Sequence, residues 1–210
     1  MNVKVKICGV TTVEDALVAA ELGASAIGLV FWPDSPRHVE ARRAKEIVDA
    51  LPPFVGAVGV FVNQVAEAAA IARAAGLTAV QFHGEEPPSS YRDFPMRVIK
   101  SVPIRDASSL EEAARIPAAA TVLLDAHDRV KRGGTGRVVD WEIAAAIART
   151  RPVILSGGLT AANVRSAIAA VRPYAIDVSS GVEVAPGKKD HGKLRELFEI
   201  LATEHTERTD

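Results

Sequence analysis

One pattern constrains this chain more than any other. Short runs of Val, Ile and Leu alternate, eight times over, with Ala-rich stretches that carry helical spacing. The strand-like runs occupy 3–7, 26–31, 55–61, 78–82, 97–101, 121–125, 152–156 and 175–179. Apolar spacing predicts helices over 13–22, 41–51, 65–75, 109–116, 141–150, 161–171 and 193–201, with a short one near 87–92. Gly23 and Gly76 stand where helix C-terminal glycines belong, and Thr12, Asp140 and Thr160 where N-caps belong. Strands separated by helices pair in parallel, because each crossover must carry the chain back to the same end of the sheet. Eight such units in 210 residues predict a closed (β/α)8 barrel, an α/β fold, at the short end of its size range. A doubly wound open sheet is the alternative. It usually has fewer strands and a glycine-rich turn after the first, and CGVTT is a poor dinucleotide fingerprint. The expectation is one barrel domain over 1–210, with a polar tail after about 203 that frays.

Composition narrows the partners. Apolar residues make up 48% and charged residues 24%, a globular profile with ample material for a core. A net charge of −1 gives no global field for nucleic acid or anionic lipid. The N-terminal MNVKVKICG lacks a signal peptide's apolar run, and no stretch approaches the roughly 18 apolar residues of a membrane span. One cysteine excludes an intrachain disulfide and fits a reducing cytoplasm, where this chain is expected as a monomer or homodimer. No nucleic acid or membrane partner is expected.

A (β/α)8 barrel builds its site from the C-terminal ends of its strands and the loops that follow. That rule selects Cys8 after the first strand, Arg37 after the second, His83 after the fourth and Asp125 at the end of the sixth. It also selects Gly157 and Gly158 after the seventh, and Ser179, Ser180 and Gly181 after the eighth. LSGGLT and DVSSGVE are two small-residue loops after adjacent strands, where this fold often binds phosphate. Glycine lets the backbone approach an anion, and free amides attract it. Each could instead be a tight turn. Cys8 could be a buried hydrophobe, a nucleophile, a metal ligand or a base. The five histidines show no zinc spacing, so no metal is expected. Asp125 could act as a general acid at the rim, or anchor a loop. Arg37 has the fork that pairs with a carboxylate, although an isolated arginine is commonly a surface residue. His83 reads equally as a catalytic, positioning or structural group. DRVKRGGTGRVVDW (128–141) has the glycines of a lid, but its composition suits an ordinary solvated loop slightly better.

Taken together and in order, KICGVTTVEDA, GLVFWPDSPRHV, VGVFVNQ, VQFHGEE, LLDA, GGTGRVVDW, LSGGLTAANV and DVSSGVEVAPGKKD closely resemble the phosphoribosylanthranilate isomerase family, from Lys4 to about Phe198. The resemblance implies a cofactor-free TIM barrel of tryptophan biosynthesis. Its reaction would be an Amadori rearrangement of N-(5′-phosphoribosyl)anthranilate to 1-(2-carboxyphenylamino)-1-deoxyribulose 5-phosphate. It further implies Asp125 as general acid, Cys8 as general base and Arg37 on the anthranilate carboxylate. The SGGL and SSG loops would hold the phosphate, and Asp177 would help position the substrate. Two positions depart from the family pattern: Phe82 stands where Leu is expected, and Ala126 where a small polar residue is usual. The related aminoaldose isomerase of histidine biosynthesis uses paired aspartates, and Cys8 at the end of the first strand argues against it. A silent barrel that only binds phosphorylated ligands is the non-enzymatic alternative.

Overall fold

The computed structural model describes residues 3–125 and 139–203. The eight apolar runs become strands β1 (Lys4–Cys8), β2 (Ala26–Val30), β3 (Gly56–Phe61), β4 (Ala79–Phe82), β5 (Arg97–Pro103), β6 (Thr121–Asp125), β7 (Val153–Ser156) and β8 (Ala175–Val178). Between them lie α1 (Val13–Glu21), α2 (Ala41–Ala50), α3 (Val65–Ala75), α4 (Pro88–Tyr91), α5 (Ser108–Arg115), α6 (Val139–Ala148) and α7 (Val164–Val171). All eight strands pair in parallel with their sequence neighbours, and β8 closes on β1. The predicted closed barrel is therefore the observed architecture, and the open-sheet alternative falls. After β8 the chain forms a short 3-10 turn (Ser180–Val182) and an antiparallel hairpin of β9 (Glu183–Ala185) and β10 (Lys188–Lys189). It then enters α8 (His191–Ala202). The sequence pattern contained no sign of that hairpin.

Alternation along the strands sorts two cores. Odd positions of β1, Val5 and Ile7, face the helices, where they join the large core between sheet and helix ring. The helices present alanine to it. Ala68, Ala72 and Ala75 of α3 recur at i, i+4 and i+7 and are fully buried, so this helix can lie close on the sheet. Phe82 joins an aromatic chain on that outer face, 6.4 Å from Phe61 and edge-on to Phe94 at 5.3 Å. The larger ring thus fills a packed position. Inside the barrel, Val58, Ile99, Leu123, Ile154 and Ala175 form a second, smaller cluster. Such layers make the barrel a filled core, not a pore.

The caps hold in part. Thr12 accepts a hydrogen bond from the Asp15 amide, and Gly76 closes α3 with a left-handed φ of 73°. Thr160 is not the cap of α7. The helix starts only at Val164, because Asn163 turns its side chain back to accept from the Thr160 amide at 2.8 Å. Asp140 likewise lies inside the first turn of α6, which begins at Val139. The glycine-rich lid candidate up to Arg137–Val138, Ala126, and the tail from residue 204 fall outside the described residues.

One buried ion pair supports the outer core. Lys100 Nζ, on the outer face of β5, lies 3.0 Å from Glu86 and also donates to the carbonyls of Gly84 and Ser101. Glu86 in turn accepts from the Asn63 and Gly84 amides. This pair pins the loop after β4.

Candidate active site

The barrel mouth is built by close backbone approaches. β1 ends at Cys8, and Gly9 turns the chain with φ 72°. The amides of Gly9 and Val10 both donate to the Gly28 carbonyl, at 2.9 and 3.1 Å. A Cβ on Gly9 would stand 2.4 Å from Arg37 Cδ, so glycine is what allows the Arg37 stem to cross there. Cys8 points inward with Val30 and Val60 and is 9% exposed. Its sulfur rests on Gly28, where a Cβ would come within 2.8 Å of Sγ.

Asp125 ends β6 on the same rim, half-buried, with its Oδ2 3.6 Å from His83 Nε2. The His83 ring is oriented from behind by Gln81, whose Nε2 is 3.1 Å from Nδ1. Across the mouth, the loops after β7 and β8 interlock. Gly157 and Gly158 both have positive φ, 101° and 62°. A Cβ on Gly181 would lie 1.9 Å from the Leu159 carbonyl oxygen, so these two loops meet only because that residue is glycine. Ser179 is half-buried and Ser180 exposed beside it.

Charge around Cys8 is dense. Lys6, two residues earlier on the same inward face, pairs with Asp177 of β8 at 2.9 Å, both side chains buried. Lys189 on β10 is fully buried; its ammonium contacts the Cys8 and Ser179 carbonyls and pairs with Glu183 at 2.9 Å. Glu183 also grips Arg37, accepting from Nε at 2.9 Å and Nη2 at 2.6 Å. Burial pushes the Cys8 thiol above its ordinary range. Lys6 and, more weakly, Lys189 pull it down, while Asp177 pushes it further up. For Glu183, burial works upward but the bonds from Arg37 and Lys189 outweigh it, and the carboxyl sits below the usual range. Among the described residues no group of three or more His, Cys, Asp or Glu is arranged to hold a metal ion. Nor is any helix among them long and apolar enough to cross a membrane.

Cys8, Arg37, His83, Asp125, Gly157, Gly158, Asp177, Ser179, Ser180 and Gly181 thus all occupy the C-terminal mouth or the inner wall just below it. A model of the N-(5′-phosphoribosyl)anthranilate (PRA) isomerase family matches residues 5–200. The chain belongs to that family. It is accordingly an enzyme, an isomerase of tryptophan biosynthesis with a TIM barrel. The N-(5′-phosphoribosyl)anthranilate isomerase of Pelobacter propionicus is 48% identical over 208 residues, 99% of each chain. The crystal structure of phosphoribosyl anthranilate isomerase from Thermotoga maritima superposes with a TM-score of 0.88 at 43% identity, covering 96% of this chain and 99% of that one. A further solved isomerase, in complex with reduced 1-(o-carboxyphenylamino)-1-deoxyribulose 5-phosphate, gives 0.86 at 41% identity with the same coverage.

Sequence reasoning missed Lys6, Glu183 and Lys189. Lys6 was detectable: it shares a period-2 face with Cys8, so an inward Cys8 requires an inward Lys6. Glu183 and Lys189 lay within a quoted motif, but their partners are 146 and 181 residues away.

Proposed function

We propose that the chain converts N-(5′-phosphoribosyl)anthranilate into 1-(2-carboxyphenylamino)-1-deoxyribulose 5-phosphate, with Asp125 as general acid and Cys8 as general base. The Asp125 carboxyl gives its proton to the furanose ring oxygen. The C1–O bond breaks, and the amine lone pair closes a C1=N bond to form a protonated Schiff base. That iminium acidifies the neighbouring C2–H bond. The Cys8 thiolate takes the C2 proton, the C–H electrons form the C1–C2 double bond, and nitrogen recovers its lone pair. The enolamine then tautomerises to the ketone. No cofactor or metal enters any step, and the phosphate end of the substrate serves to orient the sugar.

The observation that carries this reading is the placement of a carboxyl and a thiol on inward positions of β6 and β1, at one rim. Acid and base on well-separated strands suit two proton movements on different sides of one sugar. The interlocked glycine loops of β7 and β8 suit the phosphate. Arg37 suits the anthranilate carboxylate: Glu183 holds two of its nitrogens and so fixes the direction of the third, Nη1. His83 beside Asp125, and Asp177 below Cys8, line the path of the sugar between them.

The test follows loss of the substrate's fluorescence. The substrate is generated in situ from anthranilate and phosphoribosyl pyrophosphate by a coupling transferase, with EDTA present. Enzyme-dependent conversion to the aminoketose phosphate, unchanged by the chelator, is the expected result. Folded protein without turnover would overturn the reading. Loss of activity to EDTA, restored by metal, would overturn its metal-free chemistry.

A further inference from the structure

A buried ion pair inside a barrel mouth is a poor source of stability, since desolvation of two charges consumes most of their attraction. Lys6 and Asp177 form such a pair, at 2.9 Å. Lys6 is also unsaturated. An ammonium has three protons to donate, and among the described residues its one oxygen partner is Asp177 Oδ1. The Cys8 sulfur, on the same inward face of β1, packs beside the Lys6 stem. Gly28 brings the two together: a Cβ there would lie 2.8 Å from Cys8 Sγ and 3.1 Å from Lys6 Cε, so sulfur and ammonium stem share the space that a side chain would fill.

We infer that Lys6 is a positioning residue for the rearrangement, favouring the Cys8 thiolate against the cost of its burial, with Asp177 as the counter-ion that keeps Lys6 charged. The inference rests on the reading of Cys8 as base. The charged groups facing the thiol are Lys6 on β1, Asp177 on β8, Lys189 on β10 and Arg37 in the loop after β2. Their effects are unequal. Lys189 spends its bonds on the Cys8 carbonyl, the Ser179 carbonyl and Glu183, so it holds the backbone rather than the sulfur. Arg37 is committed to Glu183. Lys6 alone shares the inward face and the space above Gly28 with the sulfur. Its pull on the thiol exceeds the opposing push of Asp177. Burial would drive the Lys6 ammonium toward neutrality, but Asp177 and the thiol outweigh it and raise its pKa, so the cation persists over the working pH range. With Lys6 in place the thiol still sits above its ordinary range, and without Lys6 burial would push it higher still.

Because the chain has one cysteine, thiolate can be read directly by its ultraviolet absorbance as pH is raised, with Cys8→Ser as the blank. The variants are Lys6→Met, which keeps length and removes charge, Lys6→Arg, and the neutral pair Lys6→Met with Asp177→Asn. The last avoids leaving a buried carboxylate alone and is read if Lys6→Met does not fold. The expected order of midpoints is wild type and Lys6→Arg lowest, the double variant higher, and Lys6→Met highest, by about one pH unit or more over wild type. In Lys6→Met kcat should fall at least about tenfold while KM changes less than about threefold. A midpoint in either methionine variant equal to or below wild type would overturn the inference, as would a loss confined to KM. Full turnover by Cys8→Ser would instead sink the base reading, and the order of midpoints would still report on Lys6.

Discussion

Of the three buried lysine–carboxylate pairs among the described residues, one is tied into the Arg37 network, and the other two have nearly equal geometry but differ in what surrounds them. Lys6–Asp177 spans 2.9 Å inside the barrel, and Lys100–Glu86 spans 3.0 Å outside it, under the helices. The outer pair is saturated. Lys100 donates to two carbonyls besides its partner, and Glu86 accepts from two backbone amides. Together these bonds tie the loop after β4 to β5 and to the loop after β3. Among the described residues the inner pair's lysine makes one oxygen contact, and its stem lies beside the Cys8 sulfur near the rim. Distance and burial do not distinguish the two; their unused bonding capacity does. A saturated buried pair fixes a loop, while an unsaturated one beside a reactive group acts on that group.

The largest effects should follow removal of Cys8, which the inner pair serves, and of Asp125, its partner in the proposed chemistry. Cys8→Ser should lower kcat by roughly 10²–10⁴, since a hydroxyl titrates far above a thiol and Lys6 cannot make it a base. Substrate should still bind. Asp125→Asn should fall in the same range, because the amide keeps the shape but has no proton to give. Steady-state kinetics on both variants check this. Near-normal turnover in either would assign its role to another residue, and in Cys8→Ser it would also dissolve the contrast between the pairs.

The outer pair should show the opposite signature. Lys100→Met leaves Glu86 ionised, buried and short of its cation, which costs about 3–5 kcal/mol for a pair broken on one side. Urea unfolding should register that loss. At a temperature where the variant remains folded, its kcat should stay within about threefold of wild type. A variant of undiminished stability, or one that loses turnover as Lys6→Met does, would erase the distinction.

This contrast also marks what the sequence could and could not reveal. The strands were legible because each is a short apolar run bounded by turn residues, and the predicted and observed limits agree to within two residues at every strand. Cys8 and Asp125 were legible because a strand's last inward residue must reach the barrel mouth, whatever the rest of the chain does. The start of α7 was not, because Asn163 diverts the chain into a turn by a side-chain bond that apolar spacing does not record. The β9–β10 hairpin escaped because strands of three and two residues carry no periodicity. Lys6 and Lys100 both look like ordinary polar interruptions of a strand. Which one faces the thiol depends on strand phase, and which one is saturated depends on loops folded against it. Asp177 is 171 residues from Lys6, and no local pattern links them.

The smallest expected effect lies at acid pH and separates the pairs once more. Burial pushes the Glu86 carboxyl up, but the Asn63 amide and Lys100 outweigh it and hold it below the usual range. A carboxyl lowered on folding adds stability that is complete above its unfolded value, near about 4.3, and is lost as pH falls through its folded value. Glu183, lowered by Arg37 and Lys189 against its burial, contributes to the same acid limb. Wild type should therefore keep its urea midpoint down to about pH 4 and lose stability below it. In Lys100→Met the Glu86 carboxyl loses its cation and its folded value rises toward or past the unfolded one, so its share of the acid loss should shrink or reverse. The Glu183 part of the limb, on the far side of the barrel mouth, should stay where it is. If urea midpoints measured across this range fall by the same amount in both proteins, the backbone amides of Asn63 and Gly84 suffice to hold Glu86 ionised. The outer pair would then be an anion site that happens to contain a lysine.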